Sequence, residues 1–273
     1  MKLKRPITSG QRGMISQDYS GLTKKKPEKA LVLPSKKTGG RGEKGRITIR
    51  HRGGREKRRY RKVDFGQEKI GVLAIVESLE YDPNRSAFIM LLKYKDGTYR
   101  YRLAPEGVKI RDEVICDGKT PIKIGNRLKI KNIPSGSSIF NIELTPEKGG
   151  KIVRSAGATA QILSQEEKYA TVVLPSKEVR LVPTESFATI GRVSNVDRKT
   201  EVLGKAGKTR YRGVRPTVRG AAMNPRDHPH GGGEGKTPIG LVHPKTPWGK
   251  PARGKKTRKR HKWSDRFIIK RRK

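Results

Sequence analysis

Four side chains near the end of the sequence, Asp227, His228, His230 and Glu234, are of the types that bind metals or move protons. Their spacing does not suit either task. His228 and His230 flank Pro229, and no third strong ligand follows at a supporting helical interval. Asp227 adjoins His228 in the chain, which is a poor way to orient an imidazole for base catalysis. No serine or cysteine sits in a recognisable nucleophile motif. Residues 230–237 (HGGGEGKT) end like a phosphate-binding loop, G-x-x-x-x-G-K-[ST], but His230 stands where its first glycine belongs. The stretch before it, 224–229 (NPRDHP), contains two prolines and cannot be the strand that feeds such a loop. Residues 202–209 (VLGKAGKT) fail likewise, with Val202 in the glycine position. Catalysis, nucleotide hydrolysis and a protein-held metal are therefore not expected.

The same residues suit contact with a nucleic acid. Gly231, Gly232 and Gly233 lack Cβ atoms, so their backbone can approach a polyanion closely and adopt positive φ. Asn224, Arg226, His228 and His230 surround them, with Arg212, Arg215 and Arg219 upstream and Lys236 just after. A second group lies near the start: Arg46, Arg50, His51, Arg52, Gly53 and Gly54, then Arg58, Arg59 and Arg61 around Tyr60. Arginine pairs bidentately with phosphate and stacks on bases.

The elements that carry these residues follow from charge and pattern. The 273 residues include 65 Lys and Arg against 25 Asp and Glu, a net charge of +40 that calls for a polyanionic partner. No apolar run approaches the ~20 residues of a membrane-spanning helix, and there is no apolar core of a secretory signal at the start. The single cysteine, Cys116, excludes an internal disulfide and reads as a half-buried strand residue of a reducing, cytosolic protein.

Residues 1–62 carry a net +17, residues 63–200 only +5, and residues 201–273 +18. The two ends read as basic extensions that order on RNA. Between 204 and 254, 18 of 51 residues are Gly or Pro, too many for regular structure. Lys255, Lys256 and Arg258 open a dense basic run beyond them.

The middle reads as all-β. Expected strands are 70–79, 87–94 and 99–103, with Asp96-Gly97 as a two-residue hairpin turn. Alternation in 99–103 puts Tyr99, Tyr101 and Leu103 on one face. It leaves Arg100 and Arg102 on an exposed face where a phosphate backbone could lie. Further strands fall at 126–130, 139–144, 160–163, 169–174 and 179–182, the last two joined through Pro175-Ser176-Lys177. Short strands at this spacing indicate two small barrels, 63–125 and 126–200.

Residues 219–235 (RGAAMNPRDHPHGGGEG) closely resemble the signature of the universal L-two family of large-subunit ribosomal proteins, in its bacterial or organellar form. Residues 46–60 (RITIRHRGGREKRRY), 154–162 (RSAGATAQI), 174–180 (LPSKEVR), Pro247-Trp248-Gly249 and 265–273 (DRFIIKRRK) are similar to other segments of that family. Residues 5–10 look like the family's own start. Arg226 and Arg55-Glu56 depart from its common residues.

The resemblance implies an OB-fold barrel followed by an SH3-like barrel, both on rRNA, with extended arms. It adds Arg154, Arg180 and Trp248 to the expected RNA contacts. It also implies primary rRNA binding, a bridge to small-subunit rRNA, neighbouring ribosomal proteins, and support of tRNA binding and the peptidyl transferase centre. His228 matches a histidine once suspected of catalysis in the family. No cofactor is expected beyond Mg²⁺ held by rRNA. The expected location is the large subunit in the cytoplasm, or in an organellar matrix or stroma. The competing readings are an RNA-directed enzyme using His228 and a chromatin-like binder of duplex DNA.

Overall fold

The computed structural model describes all residues except Gln67 and Lys273. Fifteen short strands form among the described residues, with one six-residue helix, α1 (Ala206–Tyr211). The chain divides into two compact units. One comprises Met1–Lys36, Lys57–Ala206 and Ser264–Lys273, and the other Lys37–Glu56 and Gly207–Trp263. Each basic end is thus shared between the two units.

The first unit opens with two small ladders. β1 (Lys2–Leu3) pairs with β2 (Ile15–Ser16), and β3 (Val32–Pro34) with β4 (Arg59–Arg61). A four-stranded antiparallel sheet follows, built from β5 (Ala74–Glu80), β6 (Ile89–Tyr94), β7 (Tyr99–Leu103) and β8 (Glu113–Val114) in the order β7-β6-β5-β8. Along β5, Ala74, Val76, Ser78 and Glu80 are buried while residues between them reach the surface. The register shifts between Val76 and Ser78, a bulge that bends the strand. Central β6 is buried on both faces. Met90 and Leu92 point into a core with Ala74, Val76, Tyr94, Ala104 and Val114, whereas Ile89 and Leu91 pack with Leu31, Val63 and Tyr101.

The β6–β7 turn differs from expectation. Gly97 N–H donates to Tyr94 O (2.9 Å) and Tyr94 N–H to Thr98 O (3.0 Å), with Gly97 at φ +78°. That is a three-residue loop closed by a left-handed glycine rather than a two-residue turn. The same loop joins two later strands, where Lys177 takes the left-handed position (φ +65°) between Leu174 and Glu178.

The second sheet holds β9 (Arg127–Lys129), β10 (Ser138–Phe140), β11 (Ala160–Gln165), β12 (Tyr169–Val173), β13 (Val179–Pro183), β14 (Phe187–Ile190) and β15 (Ile268–Lys270), in the order β15-β13-β12-β11-β10-β14-β9. Leu128, Ile130, Ile139, Ile142, Ile162, Val172 and Val182 fill its interior. Each such side chain contributes about 1.5–3 kcal/mol on burial. β14 and β15 were not expected from the sequence. A fourth cluster, Ala87, Leu103, Phe140 and Val193, joins the two sheets. The protein is all-β, an OB-fold barrel followed by an SH3-like barrel. Cys116 is fully buried rather than half-buried, and burial raises its thiol pKa.

Candidate nucleic-acid interface

The second unit is stitched together from sequence-distant segments. Arg52 bridges Val214 in antiparallel fashion. Gly53 N–H donates to Gly213 O (3.0 Å), Arg215 N–H to His51 O (3.0 Å) and Glu56 N–H to Tyr211 O (3.0 Å). Segments 51–56 and 211–215, one from each of the arginine-rich groups singled out separately in the sequence, therefore form one ladder. Gly53 (φ +145°) and Gly54 (φ +66°) supply backbone conformations that side chains resist. Gly213 faces Arg55, whose Cβ would lie 2.8 Å from an added methyl.

This ladder walls a cleft of about 1030 Å³ within the second unit. Lys37, Arg41, Arg50, Arg52, Arg55, Arg212 and Arg215 line it, and no Asp or Glu does. Such a cleft focuses positive potential and admits a polyanion. Lys37 and Arg41 escaped sequence reasoning, although a signal existed: the Gly-Gly-Arg of 53–55, read as a nucleic-acid contact, occurs also at 39–41. Arg46 lies on the exposed loop between Gly42 and Ile47, where Gly42 N–H donates to its carbonyl (2.8 Å).

The segment 219–237 lies in the same unit as a folded loop. Asp227 and His228 N–H donate to Asn224 O, Gly231 N–H to His228 O (2.8 Å), and Gly232 N–H to Met223 O (3.1 Å). His228 is only 7% exposed and lies against Gly220, where an added Cβ would fall 2.5 Å from its ring. His228 Nδ1 accepts from His230 N–H (3.0 Å), and His230 Nε2 accepts from Lys245 N–H (2.8 Å). The two rings stand 4.6 Å apart. Burial lowers the His230 pKa, and the neighbouring His228 and Lys245 lower it further.

Each histidine thus spends a ring nitrogen on holding the loop closed. His228, expected at the RNA surface, is instead a buried brace, because glycine at 220 leaves room for its ring. Asp227 is exposed and makes no hydrogen bond to His228 among the described residues. Arg219, Asn224, Arg226, Gly233 and Lys236 are exposed, and Gly231 and Gly232 half-buried. Trp248 is 74% exposed, and Lys255, Lys256 and Arg258 lie on the surface.

The remaining expected contacts belong to the first unit, where the picture is mixed. Arg59 is exposed, Arg58 donates to Pro83 O (2.8 Å), and Arg61 to Arg59 O (2.9 Å). Arg154 lies over the Phe65 ring at 4.4 Å, and Arg180 is half-buried on β13. Arg100 is half-buried and pairs with Glu68 (3.0 Å).

The expectation for Arg102 is corrected. It is buried and donates to Asp64 at 3.2 Å. Arg102 lies opposite Met90, on the face turned into the barrel core, while Leu31 and Val63 cover the Tyr101 face. Both faces of β7 are covered, so Arg102 has no route to a phosphate backbone.

Among the described residues, no group of three or more His, Cys, Asp or Glu is placed to hold a metal ion, and no helix is long and apolar enough to cross a membrane.

Two family models match the chain. Ribosomal Proteins L2, RNA binding N-terminal domain, matches residues 28–116, which contain the four-stranded sheet and the first half of the cleft ladder. Ribosomal Proteins L2, C-terminal domain, matches residues 123–249, from the start of the second sheet through the 219–237 loop to Gly249.

Proposed function

Because the chain belongs to the ribosomal protein L2 family, a structural and RNA-binding part of the large ribosomal subunit, we propose that the basic cleft of its second unit is a principal rRNA-binding surface. The observation that carries this reading is the composition of the cleft: seven Lys and Arg from two distant segments, with no acidic residue on its walls. The ladder between 51–56 and 211–215 fixes the cationic groups before binding, which lowers the entropy lost on complex formation.

In this reading the protein is a primary rRNA binder. By organising rRNA it supports association with the small subunit through an intersubunit rRNA contact, tRNA binding, and the peptidyl transferase centre, beside neighbouring ribosomal proteins. Its contribution to the last is architectural. His228 is buried and its Nδ1 is engaged by a backbone amide, so it serves the shape of the loop rather than proton transfer. Mg²⁺ at the interface would be held by rRNA phosphates. The bacterial-type signature favours the cytoplasm of a bacterial cell, with an organellar ribosome as the other setting.

The test is sedimentation of a tagged copy through a sucrose gradient after a high-salt wash. Loose polycation binding falls by roughly 10³–10⁵ between 50 and 200 mM salt for 6–10 phosphate contacts. Retention at one copy per large subunit supports shape-specific burial in rRNA. Release into the free fractions overturns it.

A further inference from the structure

Residues 244–252 form a small hairpin whose apex carries Trp248. Lys245 and Pro251 bridge in antiparallel fashion, and Ala252 N–H donates to Pro244 O (2.7 Å). Thr246 N–H donates to Lys250 O (2.7 Å), and Gly249 N–H to Thr246 O (2.9 Å), with Gly249 at φ +77°. This is again a three-residue loop closed by a left-handed glycine, with Pro247 fixing the first corner. The stem is held to the 219–237 loop, because Lys245 N–H is also the donor to His230 Nε2. A large apolar side chain is therefore 74% exposed at the tip of a braced turn.

The surroundings select what can cover it. Residues 235–264 hold ten Lys and Arg and no Asp or Glu. Lys245, Lys250 and Arg253, nearest in the chain, are all exposed. An apolar partner surface would need to sit inside that positive field, whereas a nucleobase brings its own phosphate. An indole stacks on the π-face of any base, but in a continuous helix those faces are already occupied. We infer that Trp248 is a stacking platform for one unpaired nucleobase of the bound RNA, with the flanking cations holding the adjacent phosphates. This rests on the rRNA-binding reading above and adds the kind of nucleotide that the hairpin takes.

The test uses the full chain carrying Trp263→Phe, so that Trp248 is the sole tryptophan and is excited selectively beyond the tyrosine absorption band. Two RNAs are compared at physiological salt: a stem capped by an unpaired purine loop, and a blunt duplex of the same stem. The looped RNA should quench Trp248 emission, and the duplex at equal occupancy should not. Trp248→Ala should weaken the looped RNA roughly 5- to 150-fold and leave duplex affinity unchanged, while Trp248→Phe should keep most of the difference.

Equal quenching by both RNAs, or a loss of affinity on Trp248→Ala that is the same for both, overturns the stacking proposal and leaves the rRNA reading standing. Protection of Trp248 in assembled subunits without quenching by looped RNA overturns it in favour of a protein neighbour. Failure of both RNAs to bind removes the underlying reading as well.

Discussion

Arg127 Nη2 and Glu143 Oε1 lie 3.0 Å apart with both side chains almost wholly removed from solvent, an ion pair inside the second barrel. Arg127 also donates to Asn141 O (2.7 Å) and Thr189 Oγ1 (3.2 Å), and Glu143 Oε2 accepts from Phe187 N–H (3.1 Å). The guanidinium therefore ties β9, β14 and the segment after β10 together from within. Burial lowers its pKa and the Glu143 charge opposes that shift.

Removing one partner leaves the other charged and buried, which costs about 3–5 kcal/mol. Arg127→Met and Glu143→Leu should each lower stability by that order in urea unfolding of the full chain. The double change Arg127→Met with Glu143→Leu should recover most of the loss, because an apolar pair of similar volume often replaces a buried ion pair at little cost. Double-variant losses equal to the sum of the single ones would refute the pair as the coupling element.

The contact between Gly220 and the His228 ring gives a second expectation. Any Cβ at 220 meets the imidazole at 2.5 Å and must displace it. Gly220→Ala should open the 219–237 loop, seen as loss of protection at the His230 and Gly231 amides. Retention in salt-washed subunits should fall with it. His228→Ala should show the same two defects together, since both changes remove one brace. If His228→Ala leaves assembly intact and abolishes peptide-bond formation, the catalytic reading of this histidine returns.

Titration of His230 supplies a third. Its folded pKa lies below the ordinary 6.5, so the folded loop binds this proton less readily than the unfolded chain does. The loop is then at full stability above pH 6.5 and weakens as pH falls through 6.5 towards the folded value. The geometry agrees, because Nε2 can accept from Lys245 N–H only while unprotonated. Amide exchange at Lys245, corrected for its intrinsic pH dependence, should lose protection between pH 7.5 and 5.5. His230→Gln should flatten that profile, and unchanged protection across the window in the parent protein would refute it.

Strands β11, β12 and β13 were readable because Ala160, Ile162, Ala170, Val172 and Val182 are buried along segments bounded by Ser, Pro or Gly. β15 was not, since Ile268 and Ile269 sit in a run of cations and the pairing of Ile268 with Arg180 and of Lys270 with Val179 is set some ninety residues away. The composition of the site was legible in its two arginine-glycine groups. Their union in one ladder was not, because backbone hydrogen bonds carry no side-chain signature. Period-two alternation likewise told which residues of β7 share a face. It could not tell which face Leu31 and Val63 would cover, and so it misplaced Arg102.

That distinction between exposed and buried arginines yields the last prediction. Arg52 and Arg215 line the cleft and are exposed, so each can neutralise a phosphate. Replacing either by Gln should weaken rRNA binding across sequences and lower the magnitude of the salt slope by about 1, with thermal stability little changed. Arg102→Gln removes the partner of buried Asp64 instead. It should cost about 3–5 kcal/mol of stability and leave the salt slope of the folded fraction as it was. Plots of log affinity against log salt, taken beside thermal melts, separate the two classes. A reduced slope for Arg102→Gln at full stability would mean that the barrel interior opens to RNA, and a full slope for both cleft variants would remove the cleft as the phosphate-binding surface.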